Sequence, residues 1–335
     1  MANRLKLKHL PPLFSLCFLS CGCFAHAEFI EHHWNIMADA VFMRRSEIHD
    51  KPLVKDQNKL RKCDDDCNNF TVISTEGLVK HFHFDPGFRV GLLYSENVKN
   101  SFEAIFLWVQ PWDAHLRASD KNSLFFPFNN SSYAFDYFQA DEAHAKYDSR
   151  FWDIELNYWH HFSPRHVDYF SLSGTVGLRY FHLNEAFKLT FLKPPDKSDY
   201  SIHTENDVFG VQMGLNLEMT PTSRISWDFT AKVGATANRA KQRNLLRDLN
   251  NTLTLRRYER QKWQRGLFAD LIAQAGYQFK EPLNLHAGYE FIVLSGVALA
   301  PEQVERDTGG GAGKEVYTDG FVFIHGFYIG ATLSF

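Results

Sequence analysis

The chain has no run of about 18 apolar residues, so no segment of it reads as a membrane-crossing helix. It has no basic excess: 36 Lys and Arg stand against 39 Asp and Glu. That balance argues against nucleic acid as a partner. Cysteine is scarce, and three of the five, Cys17, Cys21 and Cys23, lie within the first 27 residues. Only Cys63 and Cys67 remain beyond them, in "CDDDC". In an oxidising compartment these two are expected to close a small disulfide loop, the alternative being an acidic metal-binding loop. Two thiols without a nearby His make a weak metal signal.

What is present begins with export. Arg4, Lys6 and Lys8 precede an apolar stretch, "LFSLCFLS" at 13–20, and then "AHA" at 25–27. This is the layout of a secretory signal peptide, expected to occupy 1–27 and to be cleaved after Ala27. A lipid-modified Cys21 in "FLSCG" is the alternative. Without residues 1–27, 33 cations remain against 39 acids. Residues 28–335 are then read as one domain, rich in aromatics, with 31 Phe, 13 Tyr and 7 Trp.

Alternation of period two recurs about ten times along that domain. Trp34, Ile36, Ala38, Ala40 and Phe42 share one face against Asn35, Met37 and Asp39. Phe209, Val211, Met213, Leu215 and Leu217 oppose Gly210, Gln212, Gly214, Asn216 and Glu218. The last residues, "FYIGATLSF" at 327–335, repeat the pattern and stop on Phe335. Four gaps are tight: "ENVKN" (96–100), "SPRH" (163–166), "TPTS" (220–223) and "KEP" (280–282). Each carries residues that turns favour. The other gaps read as long polar loops, around 46–80, 111–148, 183–204, 238–262 and 295–319. Short and long gaps alternate.

That layout predicts an all-β, antiparallel up-and-down transmembrane barrel in a bacterial outer membrane, with short periplasmic turns and long external loops. Lipid offers no hydrogen-bond partners, so the sheet must close. About ten strands are expected. Twelve is the alternative, with 186–192 and part of 125–139 as extra strands. Trp34, Trp108, Tyr158, Tyr180 and Tyr277 suit the interfaces. A soluble exported sandwich also alternates. It does not call for the glycine on the polar faces or the one-sided loop lengths.

"FDPGFRVGLLYS" (84–95), "GLRYFHLNEAFKLTF" (177–191) and the closing "GFYIGATLSF" resemble a family of pore-forming major outer-membrane proteins. "GYEFIVLSGVALAPEQV" (288–304) is similar to a segment of a related barrel family. The resemblance is scattered and its motifs are loose. It implies a porin-like barrel for passive diffusion of ions or small solutes and no catalytic residues. In outer-membrane barrels generally a terminal aromatic is read by the barrel assembly machinery, which makes Phe335 the expected assembly signal.

The polar faces carry both signs. Arg89, Arg179, Arg224 and Lys232 stand against Glu103, Asp153, Glu155, Asp228, Asp270 and Glu290 as expected pore-lining residues. Ten strands make a narrow bore that opposite charges can plug. An enzyme at the external rim, a protease or lipase, is the second reading. Asp141, Glu142 and His144 are candidates there, but no spacing singles out a set. A third reading is an adhesin or structural barrel acting through its loops. No cofactor is expected. "TGGGAGKE" (308–315) fails as a phosphate loop, because Glu315 follows Lys314. The basic stretch 238–265 is expected in an external loop, either solvated, on anionic lipopolysaccharide or folded into the mouth as an anion filter. Outer-membrane lipid and lipopolysaccharide are thus expected partners, with self-association left open.

Overall fold

The computed structural model describes residues 33–46, 49–61, 70–129, 134–162, 169–307 and 312–335. The expected signal peptide, Cys63 and Cys67 lie outside them. In chain order the strands are β1 (His33–Ser46), β2 (Pro52–Asp56), β3 (Thr71–Ser74), β4 (Asp85–Ser95), β5 (Asn100–Phe125) and β6 (Ala140–His161). They continue with β7 (Phe170–Lys193), β8 (Asp196–Thr222), β9 (Ile225–Asp248), β10 (Leu253–Lys280), β11 (Leu283–Val297) and β12 (Gly320–Ser334).

Ten of these form a closed antiparallel barrel. Neighbours pair in sequence from β4 to β12, and β1 closes the ring between β12 and β4. Backbone bonds between Trp34 and Phe335, 2.8 and 2.9 Å long, seal the seam at the end that holds the start of β1 and Phe335. We call this the near end. The short hairpin β2–β3 is not in the ring; it is attached to the far part of β5 through Lys55 and Asp56.

The outward face near that end is apolar. Phe102, Leu156, Val176, Leu178, Val211, Met213, Phe229, Leu267 and Ile329 are all exposed on it. Ring-bearing residues border the belt, with Trp34 against Tyr94 and Phe102 against Tyr158 on one side, and Trp152 against Tyr180 and Tyr180 against Phe209 on the other. This is the lipid-facing band of a membrane-spanning barrel flanked by aromatic girdles.

The strands β5 to β10 run 22 to 28 residues. A tilted membrane strand needs only about 9–11. The surplus projects from the far end, and there the faces exchange character. On β7 the outward row is Leu172, Val176, Leu178 and Tyr180, then His182, Asn184 and Lys188. The inward row is Ser171, Ser173, Thr175 and Arg179, then Phe181, Leu183, Phe187, Leu189 and Phe191, all buried. Beyond the aromatic girdle the wall is wet outside, so its apolar residues must turn inward to escape water. With Trp112, Tyr147, Phe151, Tyr200 and Leu246 they fill the far half of the bore.

Three expectations are corrected here. Residues 183–204 and 238–262 are not long loops; they are strand, turned by 194–195 and 249–252. The second turn holds Leu249, Asn250 and Asn251 at φ of 49°, 56° and 62°, a region that Asn tolerates. Most of 111–148 is likewise strand, reached across a bulge between Val109 and Trp112 that moves the outward face onto odd numbers, such as Asp113, His115 and Arg117. Finally, 186–192 continues β7, and the described residues of 126–139 add no strand to the ring.

Candidate functional site: a closed lumen

At membrane depth the inward side chains form one ionic layer. β6 supplies Asp153 and Glu155, β7 Arg179, β9 Lys232 and β10 Asp270. Glu155 lies opposite Arg179 and Lys232 opposite Asp270 in the strand register. Arg179 reaches Asp153 at 2.6 Å, Glu155 at 3.1 Å and, across the bore, Asp270 at 2.7 Å. Lys232 reaches Glu155 at 2.7 Å. β8, which lies between β7 and β9, contributes Gly214 here. A Cβ on Gly214 would stand 2.9 Å from Lys232 Cγ, so the glycine makes room for the lysine stem.

A second group is built on β1, β4, β11 and β12. Arg89 bonds Asp39 at 2.7 Å and Glu290 at 2.9 Å, and its guanidinium lies 4.0 Å from the centre of the Tyr328 ring. His286 holds the other Asp39 oxygen at 2.6 Å. All the charged members of both groups are at least 95% buried. Buried charges of this kind survive only when paired and hydrogen-bonded. Opposite charges on facing walls therefore close the bore.

On the near side of this layer is a cavity of about 220 Å³, lined by Glu103, Asn216, Asp228, Thr230 and Gln274 among others. Glu103 accepts from Asn157 and from the Trp159 indole at 3.0 and 2.8 Å. On the far side, the segment after β11 folds into the barrel instead of standing outside it. Leu299, Ala300, Glu302 and Gln303 are buried. Asn206 exchanges two bonds with the Ala298 backbone, 2.7 and 2.9 Å. Glu185 accepts from Ala300 N at 2.7 Å and pairs with buried Arg45 at 2.6 Å. Gln303 bonds the Tyr317 backbone at 2.7 and 2.9 Å and so pins the segment's return. The Tyr317 hydroxyl donates to Glu305 at 2.6 Å, and that bond pushes its pKa up to about 12.

Of the residues expected to line a pore, Arg89, Asp153, Glu155, Arg179, Lys232, Asp270 and Glu290 meet in the ionic layers, and Glu103 and Asp228 border the near cavity. Arg224 does not point into the lumen. It sits exposed in the β8–β9 turn, where the strand pattern has already ended. Asp39, His286, Tyr328, Arg45 and Glu185 belong to the buried interior and were not singled out from the sequence. Asp39 was legible, because it shares the Asn35–Met37 face of β1. Arg45 and Glu185 lie beyond the exchange of faces, where the apolar set has moved to the inward row and a polar residue no longer marks it. Among the catalytic candidates, Glu142 meets His144 at 3.2 Å and Arg117 at 2.7 Å, on the outside of the wall. Asp141 instead accepts from Asn122 N. A separate cavity of about 530 Å³ at the far mouth is bordered by His49, Glu302, Tyr317 and Asp319, and His49 Nδ1 lies 2.8 Å from Glu302 Oε1.

No family model and no curated protein sequence matches the chain. Among solved structures it is similar to the outer membrane protease OmpT from Escherichia coli, at 8% identity and TM-score 0.42, over 92% of this chain and 98% of that one. It is also similar to a Pseudomonas aeruginosa FadL homologue, at 9% identity and TM-score 0.30, over 91% and 90%. A third is an anion-selective porin from Comamonas acidovorans, at 9% identity and TM-score 0.18, over 90% and 98%.

Proposed function

We propose that the protein is a porin-like channel of the bacterial outer membrane, closed at rest by the ionic layer and the inward-folded segment, that passes ions or small solutes when both give way. One observation carries this reading: a polar, mixed-charge lumen interrupted by a layer of paired side chains. A purely structural barrel has no need of charges at membrane depth, where their burial is costly. The fold supports the outer-membrane location, since closed barrels are one of the two spanning solutions. The scattered resemblance to pore-forming major outer-membrane proteins agrees with it.

Planar-bilayer recording of the refolded protein tests the proposal. The wild type should be closed most of the time. Deleting 300–307 should lengthen the openings, and Lys232→Glu should shift their ion preference toward cations. A heat-modifiable, folded variant that combines the deletion with Arg179→Gln and never conducts sinks the channel reading.

A second reading rests on the mouth cavity. His49, exposed and held through Nδ1 by the buried Glu302 carboxylate, has the geometry of an oriented general base. Hydrolysis of peptide or ester substrates by the refolded barrel, lost in His49→Ala, would favour an enzyme instead.

A further inference from the structure

The basic stretch 238–265 is not a loop. It is the far half of the β9–β10 hairpin, and its alternate residues form a ladder on the outside of the wall. The first rung above the aromatic girdle is Arg265, opposite Ala237, which is itself opposite Phe209. Next come Arg239, between Trp263 and Asp207, then Lys241 and Arg243. Lys241 is paired with Glu205 at 3.1 Å, and Arg243 with Glu259 at 3.2 Å. Arg239 and Arg265 have no carboxylate partner among the described residues. Asp207, the acid nearest to Arg239 in register, is occupied by Tyr180 at 2.8 Å and His182 at 3.1 Å. Arg239 Nε is shielded from solvent and makes no hydrogen bond.

Directly below the ladder the wall is grooved. β9 turns only Ala231, Ala235 and Ala237 outward in the belt around Val233, while β8 turns Phe209, Val211 and Met213 outward and β10 Leu267. On either side of this low ridge are two apolar grooves, of about 540 and 730 Å³, the first bordered also by Ile154, Leu156 and Leu178 of β6 and β7 and the second by Val293 and Phe321 of β11 and β12. Arg265 stands at the rim of the first, beside Tyr180.

We infer that this face of β8–β10 is a binding site for lipopolysaccharide, with Arg239 and Arg265 on the lipid A phosphates and its acyl chains along the two grooves. The guanidinium fork suits a phosphate bidentately. The level suits it too, since the cations begin where the apolar belt stops, on the side opposite the start of β1 and Phe335. An unpaired arginine above an apolar groove at an interface matches a lipid that is anionic at its head and multiply acylated below. The inference rests on the outer-membrane placement proposed above and goes beyond it by naming the site.

The test is a titration of the refolded, detergent-solubilised full barrel with three lipids, read by native mass spectrometry. They are bis-phosphorylated lipid A, the same lipid with both phosphates removed, and phosphatidylglycerol. Lipid A should bind at least about tenfold more tightly than either of the others. The double variant Arg239→Gln/Arg265→Gln should lose about tenfold in lipid A affinity. Arg150→Gln/Lys188→Gln, outward cations on β6 and β7, should stay within about twofold of wild type. Heat-modifiable mobility checks that each variant is folded. Undiminished lipid A binding by the folded double variant overturns the site. Equal binding of dephosphorylated lipid A or of phosphatidylglycerol overturns it as well. Cell fractionation that found the protein elsewhere would sink the placement instead, and it is independent of the titration.

Discussion

The near and far halves of the barrel are built from the same strands with opposite rules. In the near half, Leu178 faces out and Arg179 faces in. A few residues further along β7, Phe181 faces in and Asn184 faces out. The backbone and its pairing with β6 and β8 continue without a shift through this region. Only the solvent changes. Below the girdle, hydrocarbon covers the wall and tolerates polarity only inside. Above it, water covers the wall and the bore becomes an apolar core. The polar lumen at membrane depth is therefore a choice of this sequence within the lipid-facing segment, and it is closed by charge rather than by hydrophobic packing.

The largest effects should separate the two kinds of interior. Arg179→Ala strands Asp153 and Asp270 and should cost about 3–5 kcal/mol in urea unfolding of the refolded barrel. Phe181→Ala, two residues away in the apolar core, should cost a similar 3–5 kcal/mol or so through the cavity it leaves. Replacing Arg179, Asp153 and Asp270 together by Leu should recover much of the loss, because a complete set of paired charges can give way to apolar groups. No apolar rescue exists for Phe181→Asp. If the triple Leu variant is as unstable as Arg179→Ala, the stranded carboxylates are not the cause of the loss.

Next in size is a contrast on one strand. Val211 and His203 share the outward face of β8. Val211→Arg should cost about 2–4 kcal/mol at mid-depth, whereas His203→Arg, in the wet half, should stay within about 0.5 kcal/mol. Equal costs measured by unfolding in lipid vesicles would erase the boundary between the halves.

How much of this was legible in the sequence follows the same boundary. The membrane strands, their faces and the short turns at 96–100, 220–223 and 280–282 could be read off, because one apolar row per strand runs unbroken through the lipid; the turn expected at 163–166 lies outside the described residues. Arg89, Arg179 and Lys232 were placed inward by parity alone. The far halves were misread as polar loops. Along 183–193 the alternation persists, but the apolar set passes from even to odd numbers, and a reader following Leu178 and Tyr180 meets His182 and sees the strand end. At 111–148 the bulge before Trp112 adds a second change of parity. The plug after β11 was hidden for another reason. Nothing in "ALAPEQV" distinguishes a loop folded into a barrel from one standing outside it, since Glu302 and Gln303 are buried only by partners distant in sequence, such as His49 and Tyr317.

The smallest expected effect lies at the seam. Deleting Phe335 removes its two backbone bonds with Trp34, and its ring is largely exposed. That should cost the refolded barrel about 1–2 kcal/mol. If Phe335 is also the assembly signal, the amount of protein in the outer membrane should fall far more than that loss implies. Quantifying both in parallel separates the roles.

The exchange of faces can be measured most directly by spin labels at every even position of β7 from Leu172 to Lys188, in lipid vesicles. Collision rates with oxygen, which concentrates in hydrocarbon, and with a water-soluble nickel complex report the surroundings of each label. Oxygen contact should dominate from 172 to 180 and the nickel complex from 182 onward, with the crossover at the Trp152–Tyr180 girdle. Labels that remain oxygen-rich as far as 188, or nickel-accessible from 172, would contradict the two-solvent account of this barrel.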